Sequence, residues 1–236
     1  MTLFGTINLL KICILISRKN NTNTACFHNK QIFIRYFGVL SNNIPSVFSQ
    51  CIYVIWKNSY STKYDSKLET AINKQIRVEQ QAAQDYLNIA VTFLHPCSCR
   101  PGAGGYFMRM YEEELGHMKD FIQYQIMRGG VPLIAGITAP KQYKKLTLLE
   151  AFQKALEMEK SVTEDLNKIV VAAESVKDYQ CADFVTSVFL AEQMRSLSEM
   201  AGHVQTLSRL CDEHAIYHYD TELRKSHPYS FKCKCS

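Results

Sequence analysis

The chain has 236 residues, 47% of them hydrophobic, and a formal charge of +5. That length holds one or two domains, and no apolar run reaches the roughly 18–20 residues of a membrane span, so no membrane partner is expected. The charge is uneven: Met1–Lys63 holds seven basic residues and no acid, and removing those seven from the 27 leaves 20 basic against 22 acidic residues, a net of −2. The basic character therefore does not describe the body of the protein, and no nucleic-acid partner is expected.

In chain order, residues 1–62 come first. They are rich in Ser and Asn and free of acids, and Arg35 sits among the aromatic and aliphatic residues of Ile32–Phe37. This is the composition of an organellar transit peptide, and it predicts a mitochondrial location. A secretory signal fits less well, because Lys11 interrupts the apolar Ile7–Ile16 run and no basic residue precedes it. A secreted or cytoplasmic protein is the alternative. Residues 63–236 are read as one folded domain.

Within it, a first helix is predicted over about Lys67–Leu94, broken by His95-Pro96 and by the Gly-rich stretch that follows Arg100. A second is predicted from near Gly105 to Arg128, where Gly129-Gly130 stops it; Gly102, Gly104 and Gly105 are expected to fray its start. A long polar connection containing Pro132 and Pro140 leads to Thr147, an N-cap with Glu150 three residues on. The third helix runs to about Val176. After a turn at Asp178–Gln180, a fourth runs to about Cys211, and a short fifth is predicted over Ala215–Lys225. The first and third connections are short and the second is long, so the expected fold is all-α: a four-helix bundle with one long crossover and a C-terminal fifth helix.

Four of these helices carry polar groups in the middle of apolar stripes. The stripes read Ile72, Ile76, Glu79, Ala83, Tyr86, Ala90, Phe93; Phe107, Met110, Glu114, His117, Phe121, Tyr124; Leu148, Phe152, Ala155, Glu159, Val162, Leu166, Ile169; and Phe189, Gln193, Leu197, Met200, Val204, Leu207. Steps of three and four keep each set on one helix face. Burying a lone carboxylate costs several kcal/mol. The same costly choice on three helices at mid-length points to one shared metal. Glu114 and His117, three apart, reach one point, and oxygen with imidazole donors suits iron. Glu79, Glu114, His117 and Glu159 make one nearly complete site, with Glu114 placed to bridge. Gln193 stands by a weaker second position, and Tyr86 lies two turns from Glu79. Glu192 is followed three residues later by Arg195 rather than by a second His, which suits iron that passes through as substrate. Glu199 and His203, four apart, are read as a surface pair.

At these residues the chain resembles the ferritins, in particular the heavy-chain, iron-oxidising type, over about Ile72–Leu210. The resemblance rests on Ile72-Asn73-Lys74-Gln75-Ile76, Glu79 with Tyr86, Glu113-Glu114-Leu115-Gly116-His117, Arg128-Gly129-Gly130, Leu156-Glu157-Met158-Glu159-Lys160 and Glu192-Gln193. With the N-terminal segment it is most similar to a mitochondrial ferritin. The resemblance implies a twenty-four-subunit cage, oxidation of ferrous iron by dioxygen inside the bundle, and storage of ferric mineral. It implies ligand roles for Glu79, Glu114, His117 and Glu159, a hydrogen-bonding role for Gln193 and a supporting role for Tyr86. Two departures stand out. Asp183 matches one acid of the family's iron channel, but Thr186 occupies the second position. Glu112 and Glu113 match the family's mineral-nucleating acids, but Arg109, Gly116 and Lys119 do not.

Two Cys-x-Cys pairs, Cys97/Cys99 and Cys233/Cys235, lie in a loop and in the tail, without zinc-finger spacing. They are expected to be ordinary thiols in a mitochondrial matrix and disulfide candidates in a secreted protein. Two other functions remain open. A structural cage subunit with weak oxidation would follow from the reduced acids. A different di-iron enzyme acting on an organic substrate is disfavoured by the missing second Glu-x-x-His.

Overall fold

The computed structural model describes residues 64–143 and 145–230. The expected transit segment and the Cys233/Cys235 pair lie outside them. The described residues are helical, with no strand among them. Helix α1 spans Ser66–Leu94 and is capped by the Asp65 side chain on Lys67 N–H. Helix α2 spans Pro101–Met127. Helix α3 spans Leu148–Ser175 and opens on the expected reciprocal Thr147/Glu150 capping box. The fourth rod, α4, is composite, with α-helical Tyr179–Phe184, a π segment Val185–Leu190, and α-helical Ala191–Leu207. Helix α5 spans Glu213–Ser226.

Pairings between the rods define the topology. Tyr64, just before α1, bonds Gln125 near the end of α2, whereas Phe93 stacks on Phe107 near its start, so α1 and α2 are antiparallel. Helix α3 runs against α1, with Lys74 on Asp165 and Tyr86 on Glu159. Helix α4 runs against α2, with Tyr124 on Gln180 and Tyr106 on Glu199. This is the expected bundle with one long crossover. Three amides on one flank of α1 hold that crossover. Asn73 donates to Val131 C=O and accepts from Leu133 N–H; Gln81 makes the same two-way clamp on Thr138; Asn88 donates to Lys141 C=O. The crossover thus runs parallel to α1, with these backbone groups satisfied by the α1 amides.

Two of the expected boundaries change. Helix α2 starts four residues before Gly105, and its glycines do not fray it. Asp220 of α5 accepts from Gly102 N–H at 3.2 Å and Ala103 N–H at 2.8 Å, supplying the capping carboxylate from a remote helix. The glycines are what let α5 come so close: a Cβ on Gly102 would lie 1.9 Å from Asp220 O, and one on Gly105 2.2 Å from His227 O. The fourth helix ends at Leu207, short of the expected Cys211, and it is not uniform. Its buried residues Cys181, Val185, Phe189 and Gln193 recur every fourth position. In an α-helix each such step overshoots the core by about 40°. The wider turn of the π segment, with Ala191 N–H bonding Thr186 C=O five residues back, takes up that drift.

The core is divided. One apolar cluster gathers Phe93, Phe107, Phe152 and Met200; the other gathers Ile72, Phe121, Leu166 and Phe189. Glu79, Glu114, Glu159 and Gln193 occupy the waist between them, each at most 3% exposed.

Candidate metal centre

The waist carries Glu79 and Tyr86 from α1, Glu114 and His117 from α2, Glu159 from α3 and Gln193 from α4. Glu79 of α1 accepts from Gln75 Nε2 at 2.8 Å, one turn back. Glu159 of α3 accepts from the Tyr86 hydroxyl. Glu114 of α2 faces His117 Nδ1 at 3.1 Å, and the other ring nitrogen of His117 lies 2.9 Å from Glu192 Oε2 on α4. Gln193 of α4 accepts from Thr163 Oγ1 at 3.0 Å. The structure thus brings Glu79, Glu114 and His117 together, with Tyr86 and Gln193 both reaching Glu159 on α3.

Charge is the difficulty of this arrangement. Burial pushes the Glu79 carboxyl well above the usual range, and the neighbouring Glu114 charge adds to that. Burial and then the Glu159 charge push Glu114 up to about 8. Burial likewise raises Glu159, although bonds from Tyr86 and Gln193 pull the other way. Among the described residues no Lys or Arg pairs with any of the three. Glu79 Oε2 and Glu159 Oε2 are buried and accept no hydrogen bond. Such oxygens normally find donors, so these two lone-pair sets are suited to a cation. Oxygen and imidazole donors fit a hard or borderline metal such as iron.

Ligating atoms of Glu79, Glu114 and His117 lie within 4.8 Å of one another, close enough to share one ion. A second group was missed from the sequence. Glu113, His117 and Glu192 gather within the same limit, half-buried rather than buried. Burial and then Glu192 raise Glu113 to about 7, while the hydrogen bond with Glu113 and then the nearby His117 hold Glu192 below the usual range. His117 thus stands between an inner and an outer acidic group. The signal was that Glu113 and Glu192 each immediately precede a stripe residue on helices that face each other. Gln75 and Thr163, which orient Glu79 and Gln193, were also missed as site residues.

The expected surface pair Glu199/His203 is not a plain surface pair. Glu199 accepts from Tyr106 at 2.9 Å and Arg109 at 3.3 Å, and the His203 ring packs on Phe152 with Nδ1 on the Tyr219 hydroxyl. This network ties α4 to α2 and α5, away from the waist. Asp183 and Thr186 are both exposed.

The profile of the Ferritin family, described as a ferritin-like domain, matches residues 69–210. Soma ferritin of Lymnaea stagnalis is 34% identical over 163 residues, covering 69% of this chain and 94% of that protein. A chloroplastic ferritin of Malus baccata var. xiaojinensis is 33% identical over 164 residues, covering 68% of this chain and 66% of that one. Ferritin-1 heavy chain of Schistosoma mansoni is 31% identical over 159 residues, covering 67% of this chain and 92% of that protein. A match across all four rods and the whole waist places this chain in the ferritin family.

Proposed function

We propose that the protein is an iron-storing ferroxidase of the heavy-chain type, which oxidises Fe(II) with dioxygen at the waist and holds the ferric product inside a twenty-four-subunit cage. The observation that carries this reading is the set of three buried carboxylates and one imidazole, with two carboxylate oxygens left without donors. Ferrous iron is the substrate. Glu79, Glu114, His117 and Glu159 hold it, Gln193 lies beside it, and Tyr86 orients Glu159. Negative charge gathered in a low-dielectric waist favours Fe(III) over Fe(II), so each bound ion gives up one electron to dioxygen more readily than it would in water. Protons held on Glu79 and Glu114 are displaced as the metal binds.

Glu113 and Glu192 extend the acidic path outward from His117 and give departing iron a weaker, wetter resting place. Residues 1–62 direct the chain to mitochondria; their composition supports this, and the relatives named chloroplastic are likewise organellar. One observation favours a slower variant of the same function. With Thr186 exposed beside Asp183, and Arg109 and Lys119 in place of acids, the field drawing cations inward is weakened.

The test is Glu114→Ala with His117→Ala. The double variant is expected to assemble normally and to lose iron oxidation by at least about 100-fold, since two donors shared by the inner site are gone. Oxidation at the parental rate in an intact assembly would refute the site.

A further inference from the structure

The α1–α2 loop carries donors the waist lacks. His95, Cys97 and Cys99 are all exposed, and both thiols are free. The loop is a wound turn: His95 C=O accepts from Ser98 N–H at 2.9 Å and Cys99 N–H at 3.0 Å, and Arg100 N–H closes it on Phe93 C=O at 3.0 Å. Its far end is pinned to α5 by Arg100 on Glu213 at 2.8 Å. Cys99 adopts φ 49°, a left-handed conformation that residues with a Cβ rarely take, and the closing bonds hold it there. The His95 Nδ1 lone pair is turned into the loop, on Cys97 N–H at 3.2 Å, a long bond that a cation can replace.

We propose that this loop binds a thiophilic d10 cation, of the Cu(I), Zn(II) or Cd(II) class, through Cys97 Sγ, Cys99 Sγ and His95 Nδ1, separately from the iron site. Thiolates select soft cations, whereas the carboxylates of the waist select hard or borderline ones. The three donors do not yet converge to within 4.8 Å. Their side chains are exposed, so rotating them together disturbs no packing, and the closed backbone limits the entropy still to be lost. Binding displaces two thiol protons and forms two metal–sulfur bonds, with no oxidation. The fourth position stays open to solvent or to an incoming ligand. One consequence is a division of labour, in which thiophilic cations are retained at the surface and kept from the carboxylates of the waist.

The test is anaerobic titration of the full chain with Cd(II), thiols reduced by a phosphine, following the sulfur-to-cadmium charge-transfer absorbance. No carboxylate or imidazole site produces that band, so the readout is independent of iron chemistry. One cadmium per chain is expected to develop it. Cys97→Ser with Cys99→Ser should abolish the loop's band and leave iron oxidation unchanged, Cys233→Ser with Cys235→Ser should retain it, and His95→Ala should weaken binding about tenfold with the band intact. A parental band in the Cys97/Cys99 variant, or no band in the parent, overturns the proposal. Parental affinity in His95→Ala overturns the three-donor assignment. Loss of iron oxidation in Glu114→Ala/His117→Ala with the cadmium band intact would separate the two sites.

Discussion

Gly102→Ala sets two arguments of opposite sign against each other. By helix propensity, alanine in the first turn of α2 stabilises by up to about 1 kcal/mol. By packing, its Cβ lands 1.9 Å from Asp220 O, 2.8 Å from Arg224 N and 2.9 Å from Asp220 C, all backbone atoms that cannot rotate away. Restoring ordinary contact moves α5 away by roughly 1.5 Å, taking a van der Waals separation of about 3.4 Å. A shift of that size breaks the Asp220 bonds to Gly102 and Ala103 N–H. Losing a capping carboxylate costs about 1–2 kcal/mol, and the forced separation adds about 1–3 kcal/mol. The net expectation is a loss of about 1–4 kcal/mol, concentrated where α5 docks on α2. Hydrogen exchange should show the amides of α5 and of residues 102–106 opening far more often, with α3 protected as before. A variant as stable as the parent, or more stable, would refute the claim that the α2 glycines exist to admit α5.

The apo protein should lose stability as pH rises from about 4.5 toward 8. Glu79, Glu159, Glu113 at about 7 and Glu114 at about 8 keep protons in the folded state that the unfolded chain has already released, so the folded state binds more protons and rising pH favours unfolding. His203 and His227, which burial holds below the usual histidine range, work the other way within this window but are outnumbered; Glu192, held below the usual carboxylate range, acts only at lower pH. Urea midpoints measured across that window should decline, and Glu114→Gln should flatten the decline; a midpoint that rises with pH would contradict the buried-carboxylate account. Separately, Gln81→Ala removes both bonds to Thr138 and should cost about 1–2 kcal/mol. The effect should appear as faster exchange at Thr138 N–H; unchanged exchange would mean that the clamp is not what holds the crossover.

The elements that sequence alone revealed were those whose causes are local. The Thr147/Glu150 box lies within one turn, and the stripes expose Glu79, Glu114 and Glu159 because three- and four-residue steps need no partner to be seen. The α2 start was misplaced because its cap, Asp220, is more than a hundred residues away, and a run of glycines viewed alone reads only as a helix breaker. The π segment escaped notice because fourfold spacing at Cys181, Val185, Phe189 and Gln193 still resembles an ordinary helix face over two or three steps. Glu192 lies off its stripe by one residue, and its contact with His117 exists only once α2 and α4 are side by side. Asn73, Gln81 and Asn88 look like a solvated flank until the crossover is laid along it. His203 was misread for a similar reason: its burial depends on α5 folding back to bring Tyr219 against it.

The most direct measurement of the central claim is aerobic addition of Fe(II) to the purified chain, following ferric absorbance and then sizing the product on a column. The account predicts oxidation well above the rate in buffer, with iron travelling in an assembly far larger than one chain. Oxidation no faster than in buffer would contradict the ferroxidase reading, and an intact cage under those conditions would mark the chain as a structural subunit.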